Sequence, residues 1–147
     1  MDALELLKQD HQTVKELFEQ AEGIEDGKEQ KQVFRQIKRE LDTHARIEET
    51  IFYPAMEKHE ELKDMVLEAI EEHKQVKTLL REIDALVNDS EKFDPKLTVL
   101  KENVEHHAEE EEEGKMFPKV REIVDQGTLE QLGRELERAK VRKRRAA

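Results

Sequence analysis

Six side chains in this 147-residue chain combine the types and spacing needed to hold a metal: His11, His44, Glu48, His73, His107 and Glu111. His44 with Glu48, and His107 with Glu111, are pairs four residues apart. On an α-helix such a pair is rotated by only about 40°, so both side chains face the same way. Each of the four histidines also falls on the apolar stripe of its own segment. A carboxylate on such a stripe loses much of its solvation unless it is paired or metal-bound. Two at similar depth also repel each other, and four buried imidazolium ions would be no better. A multivalent cation resolves the conflict. Four neutral imidazoles and two carboxylates are more ligands than a tetrahedral zinc site takes. The mixture suits iron or manganese, with carboxylate oxygens able to bridge two ions.

The positions make sense only if helices present them. Leu4, Leu7, Val14, Phe18 and Ala21 recur at steps of three, four and seven, with His11 filling the gap, and Gly23 and Gly27 end this first element. A second series runs through Ile37, Leu41, His44, Glu48 and Ile51 to Pro54, which should bend or restart the helix near Tyr53. A third runs from Leu62 through Val66, Ile70, His73, Val76, Leu80 and Ile83 to Val87, closing at Asn88-Asp89-Ser90. The fourth carries Leu97, Leu100, Val104, His107 and Glu111, opens near Pro95, and is interrupted by Gly114 and Pro118. No segment alternates with period two. Four long helices with short connections predict an all-α, up-down-up-down four-helix bundle over residues 1–126. Residues 127–147 should form a short accessory C-terminal helix with a basic tail.

Composition narrows the chemistry. The chain has 37 acidic and 26 basic residues, a net charge of -11, and no cysteine. Thiolate zinc sites, iron–sulfur clusters, disulfides and cysteine nucleophiles are excluded, so any iron must be held by imidazole and carboxylate. There is no apolar run long enough for a membrane span. The N-terminal residues lack the pattern of a secretory signal, which makes a cytoplasmic protein the expectation. The acidic surface argues against nucleic acid as a partner. No Gly-rich phosphate loop, EF-hand loop, His-Glu-x-x-His or Gly-x-Ser-x-Gly is present, which argues against hydrolases.

One short repeat stands out. His44-Ala-Arg-Ile-Glu48-Glu-Thr-Ile-Phe52-Tyr53-Pro54 is echoed by His107-Ala-Glu-Glu-Glu111-Glu-Glu-Gly-Lys-Met-Phe117-Pro118, with one extra residue in the second copy. Counted back from the proline, Glu112 aligns with Glu48. Glu111 is favoured instead because it continues the stripe Leu97, Val104, Glu111 at steps of seven, and Glu112 stays as the alternative. Any one of these residues alone reads as a core histidine or a snorkelling glutamate. One stripe histidine in each of four helices, with two His–Glu pairs, is a different matter.

That order, His11, then His44-x-x-x-Glu48, then His73, then His107-x-x-x-Glu111, resembles the hemerythrin-like family of HHE cation-binding domains, over roughly residues 1–120. The resemblance implies a bundle enclosing a non-haem pair of irons, with Glu48 and Glu111 bridging and the histidines as terminal ligands. It also implies a small partner such as oxygen, nitric oxide or peroxide. The family's roles extend to sensing, enzymatic handling of peroxide or nitric oxide, and iron-centre repair. Oxygen-carrying members have two histidines one turn apart on the third helix, whereas here Lys77 follows His73, and an ammonium cannot ligate. The vacant position falls to water, Tyr53 or another carboxylate, with Tyr53 and Lys77 as pocket residues. Oxygen carriers also space the fourth-helix pair by five residues, which keeps Glu112 in play. Ferritin-type sites use Glu-x-x-His pairs, a different pattern.

The remaining features are quieter. His59 and His106 read as surface residues. Phe18, Phe52 and Phe117 read as core, or as walls of a dry pocket around a bound ligand. The run 138–145 carries six positive charges, leaving -17 on the rest of the chain. It reads as a solvated helix end docking on an acidic body, and the molecule as a monomer or weak dimer.

Overall fold

The computed structural model describes the backbone of residues 1–146 and the side chains of residues 1–142. Four long antiparallel helical rods form the bundle, and a fifth helix packs on its side. The first rod is α1 (Ala3–Glu22). The second combines α2 (Gly27–Ile47), a π-helical stretch Glu48–Phe52 and α3 (Tyr53–Glu57). The third is α4 (Lys63–Asp84). The fourth combines α5 (Phe93–Glu105), a π-helical stretch His106–Met116 and α6 (Phe117–Ile123). The accessory helix is α7 (Gln126–Ala146), as long as the bundle helices, which packs chiefly on α1. No strand is present among the described residues.

Local chemistry sets the ends. Asp2 caps α1 by accepting the Glu5 N–H at 2.9 Å, while Glu5 returns the bond to the Asp2 N–H. Asp26 caps α2 through the Glu29 N–H. The buried Lys31 ammonium donates to the carbonyls of Asp84 and Leu86 at the end of α4, satisfying orphan acceptors there. This helix stops at Asp84, short of the expected Val87, which is 76% exposed and contributes nothing to the core.

The fourth rod differs from the expected interruption at Gly114 and Pro118. The chain stays helical through both, widening into i→i+5 hydrogen bonding instead of breaking. Pro54 and Pro118 each lie second in the α-helical turn that follows a π stretch. The wide turn relieves the clash of the proline ring with the preceding carbonyls.

Side chains inside the bundle form two apolar clusters with a polar layer between them. One contains Leu4, Leu7, Ile47, Phe52, Met56 and Phe117, together with Leu129, Leu132 and Leu136 of α7. The other contains Val14, Phe18, Phe34, Leu41, Leu80 and Leu100. Fully burying one such side chain contributes roughly 2 kcal/mol. The two clusters hold the rods in register at the layer where His11, His44, His73 and His107 lie.

Candidate metal centre

Each rod delivers one histidine to the polar layer. His44, His73 and His107 are buried, and the His11 side chain is 9% exposed. Glu48 and Glu112 accompany them at 0% exposure. The donor atoms fall into two groups that share Glu48: His11, His44, Glu48 and Glu112 in one, and Glu48, His73 and His107 in the other. His44 Nε2 and His73 Nε2 both approach Glu48 Oε1 at 3.1 Å. Glu112 turns Oε1 toward His11 Nε2 at 3.1 Å and Oε2 toward His107 Nε2 at 3.6 Å.

Glu111 is therefore not where its seven-residue stripe would put it. Its side chain turns outward to Lys115, at 3.2 Å, and His106. The cause is the π stretch. In a regular α-helix residues five apart diverge by about 140°, but i→i+5 bonding brings His107 and Glu112 onto one face. The extra residue before Pro118 was the sequence signal of this widening.

The outer ring atoms follow a closed pattern that spacing alone did not reveal. Asp10 of α1 faces His44 Nδ1 at 3.0 Å, and Glu49 of the second rod faces His73 Nδ1 at 2.8 Å. Glu72 of α4 faces His107 Nδ1 at 2.7 Å, and Glu113 of the fourth rod faces His11 Nδ1 at 2.6 Å. Each rod thus supplies a carboxylate to the histidine of the next, and the ring closes. Every one of these carboxylates adjoins a central residue in sequence, Asp10 beside His11 and Glu72 beside His73, so adjacency was a usable clue. Ionised carboxylates only accept, so each Nδ1 carries a proton and each Nε2 is left facing inward.

Part of that inward arrangement has no hydrogen-bond partner among the described residues. Both oxygens of Glu48 and Nε2 of His44 are buried without a hydrogen bond, because their 3.1 Å approach is not aligned for one. His73 Nε2 and His107 Nε2 lie 3.1 Å apart. With both Nδ1 protons committed, that contact is attractive only if a proton or a cation lies between the two lone pairs. Without a cation, protons do the work. Burial would lower the His107 pKa, but the charge of Glu112 and the hydrogen bond to Glu72 outweigh it and push it up to about 9. Burial would likewise lower His44, yet Glu48 and Asp10 hold it well above its ordinary value. Burial would raise Glu48, but the His44 charge holds it well below the usual carboxylate range. Such a set exchanges its protons for a metal ion, so the donors fit the multivalent cation expected from the sequence.

Tyr53 reaches the same centre from α3. Its hydroxyl donates to Glu112 Oε2 at 2.5 Å and lies 3.3 Å from both His73 Nε2 and His107 Nε2. Burial and the nearby Glu112 and Glu48 charges raise its pKa well above the ordinary value, so it stays protonated. Lys77 lines the site from α4, and its Nζ donates to Glu49 at 2.9 Å. His106 is exposed and pairs with Glu110. On the side away from Tyr53, a cavity of about 40 Å³ opens onto the histidines. Its walls are Val14, Leu41, Val76, Leu80 and Val104 rather than Phe18, Phe52 and Phe117. Phe52 and Phe117 pack below the site instead, with Phe117 stacked on His11.

Fold and site together define a helical bundle built around a cation-binding layer. The chain belongs to the hemerythrin family: the model of the hemerythrin HHE cation binding domain matches residues 2–120. A solved structure, that of a hemerythrin HHE cation binding domain-containing protein from Mycobacterium kansasii described as an Rv2633c homolog, superposes with a TM-score of 0.87. It is 28% identical, and the match covers 99% of this chain and 89% of that one. A DNA nickase from Nostoc sp. is 27% identical over 140 residues, which is 95% of this chain and 39% of the nickase. The chain therefore spans well under half the length of that relative.

Proposed function

We propose that this protein binds two iron ions and, through them, binds or senses a small ligand such as oxygen, nitric oxide or peroxide. The single observation that carries the reading is Glu48: a carboxylate at 0% exposure, shared by both donor groups, with neither oxygen hydrogen-bonded. His11, His44 and Glu112 would serve one ion and His73 and His107 the other, with Glu48 contributing to both. Bound iron would supply reversible coordination of, and electron exchange with, the small ligand. The chain's own residues do the rest. The carboxylate ring holds each imidazole in the tautomer that points Nε2 inward. Tyr53 holds a proton against Glu112. The largely aliphatic cavity is of a size to admit a molecule of two or three heavy atoms. Lys77 lines it together with the acidic Asp10 and Asp42.

Enzymatic turnover of peroxide or nitric oxide is a second reading. It is favoured by the three-residue donor group of Glu48, His73 and His107, which leaves more room for an incoming ligand than the four-residue group. Iron-centre repair is a further variant of iron handling, and a metal-free interaction module fits least, since it leaves Glu48 unexplained. We place the protein in the cytoplasm as a monomer or weak dimer. No helix among the described residues is long and apolar enough to cross a membrane. We read no DNA chemistry from the nickase match, because a net charge of -11 disfavours phosphate backbones.

Protein purified from iron-replete medium is expected to carry two irons per chain, one for each donor group, with charge-transfer absorption in the near ultraviolet. Colourless, iron-free protein whose thermal stability ignores added iron would falsify the reading. Peroxide or nitric oxide consumption that disappears in Glu48→Ala separates turnover from simple binding.

A further inference from the structure

The four outer carboxylates are not equivalent. Glu49, Glu72 and Glu113 are 27%, 18% and 32% exposed in their side chains, whereas Asp10 is 7% exposed. Water can orient and screen the first three. Asp10 is oriented by protein alone. One of its oxygens, Oδ2, accepts the His44 Nδ1–H at 3.0 Å. The other, Oδ1, accepts from the Lys140 ammonium at 2.5 Å. Lys140 is itself buried, with a side chain 11% exposed, and it comes from α7, beyond residues 2–120 matched by the family model. The cation beside Glu49, Lys77, is 41% exposed.

We propose that Lys140 is a positioning residue for the metal centre: through Asp10 it sets the orientation and donor strength of His44, so the accessory helix is part of the site's machinery. The chain of contacts runs Lys140 Nζ to Asp10, Asp10 to His44 Nδ1, and His44 Nε2 to the shared Glu48. A buried ion pair is a poor way to stabilise a helix contact by itself, since apolar residues of equal volume do as well or better. Its use here is geometric. Two hydrogen bonds from opposite sides leave the Asp10 carboxylate one orientation, and that orientation fixes the ring plane of His44.

The inference rests on the iron-binding reading, and its test keeps the two apart. Ferrous iron affinity, measured anaerobically by chelator competition, is compared with the thermal stability of the iron-free protein. Lys140→Met is expected to weaken iron binding by about 10-fold or more, the usual scale for loss of an outer partner of a ligand. Lys140→Arg, which keeps the charge and the donors, restores most of it. Asp10→Asn combined with Lys140→Met, which removes both charges and so avoids leaving a buried lone carboxylate, is expected to bind no more weakly than Asp10→Asn alone, because both act on His44 by one route. In cobalt-loaded protein, one of the four exchangeable imidazole Nδ1–H resonances moves in Lys140→Met and the other three stay. A merely structural lysine gives the opposite result: Lys140→Met lowers the stability of the iron-free protein while affinity and resonances hold, and that outcome overturns the proposal. Wild-type protein that binds no iron overturns the iron reading itself.

Discussion

At the scale of single residues, the centre rests on how few alternatives a buried carboxylate has. Glu48 and Glu112 are both fully buried, yet Glu112 accepts hydrogen bonds from Tyr53 and His11 while Glu48 accepts none. Each iron bound at a hundred times its dissociation constant should stabilise the folded protein by about 2.7 kcal/mol, or about 9 °C in Tm for a chain of this size. Glu48→Gln is expected to abolish that increment in a thermal melt with and without iron. Substitution also separates the neighbouring glutamates. Glu112→Gln should lose bound iron, whereas Glu111→Gln should retain it, because the Glu111 side chain faces Lys115 and solvent. Retention in Glu112→Gln with loss in Glu111→Gln would reverse the assignment.

The elements owe their placement to a few close contacts. Where α7 crosses the start of α1, a Cβ on Gly133 would overlap the Met1 carbonyl oxygen and lie 3.0 Å from the Ala3 nitrogen. Those are backbone atoms and cannot swing aside. Gly133→Ala is expected to cost about 1–3 kcal/mol by overpacking, read from chemical denaturation midpoints at unchanged slope. Asp2 secures the same corner: it caps α1 and accepts from the Arg121 guanidinium at 2.7 Å and from Gln126 at 3.0 Å. Burial would raise its pKa, but the bonds from Arg121, Glu5 and Gln126 together hold it well below its ordinary value of 3.8. With the folded pKa depressed, the stabilisation is present above about pH 4 and is lost as the pH falls below it. Asp2→Ala should therefore cost about 1–2 kcal/mol at neutral pH and flatten the acid side of the stability profile. An unchanged acid limb would remove Asp2 from this role.

For the whole molecule, the polar layer divides the interior into two apolar clusters, and only the rods passing through both keep the layer in register. Removing volume from either cluster should then loosen the site at a distance. Phe34→Ala, in the cluster containing Val14 and Leu80, is expected to cost about 3–5 kcal/mol. It should also speed the release of iron to a chelator, although Phe34 is not among the donors. Release at the wild-type rate in a folded Phe34→Ala protein would show that the layer is held by its own ring of carboxylates alone. Of the basic run at the C-terminus, Lys140 is drawn into the body against Asp10, while the side chains of Lys143, Arg144 and Arg145 lie outside the described residues.

Periodicity determined much of this in advance, because the steps of three and four that bury leucines on a helix also reveal any histidine or glutamate on the same face. The bundle, its four stripe histidines and Glu48 were legible for that reason. The helix ends at Gly23 and near Pro95 were legible from local backbone chemistry. Tertiary structure decided what depends on a non-standard helix or on a neighbouring rod. Glu112 rather than Glu111 turns into the polar layer because i→i+5 bonding widens the fourth rod there, a change that an assumed 3.6-residue repeat cannot express. The carboxylate ring, Tyr53 at the centre and Lys140 behind Asp10 join residues 20 to 130 positions apart. Those pairings follow from which rod packs beside which, and no spacing along the chain records that.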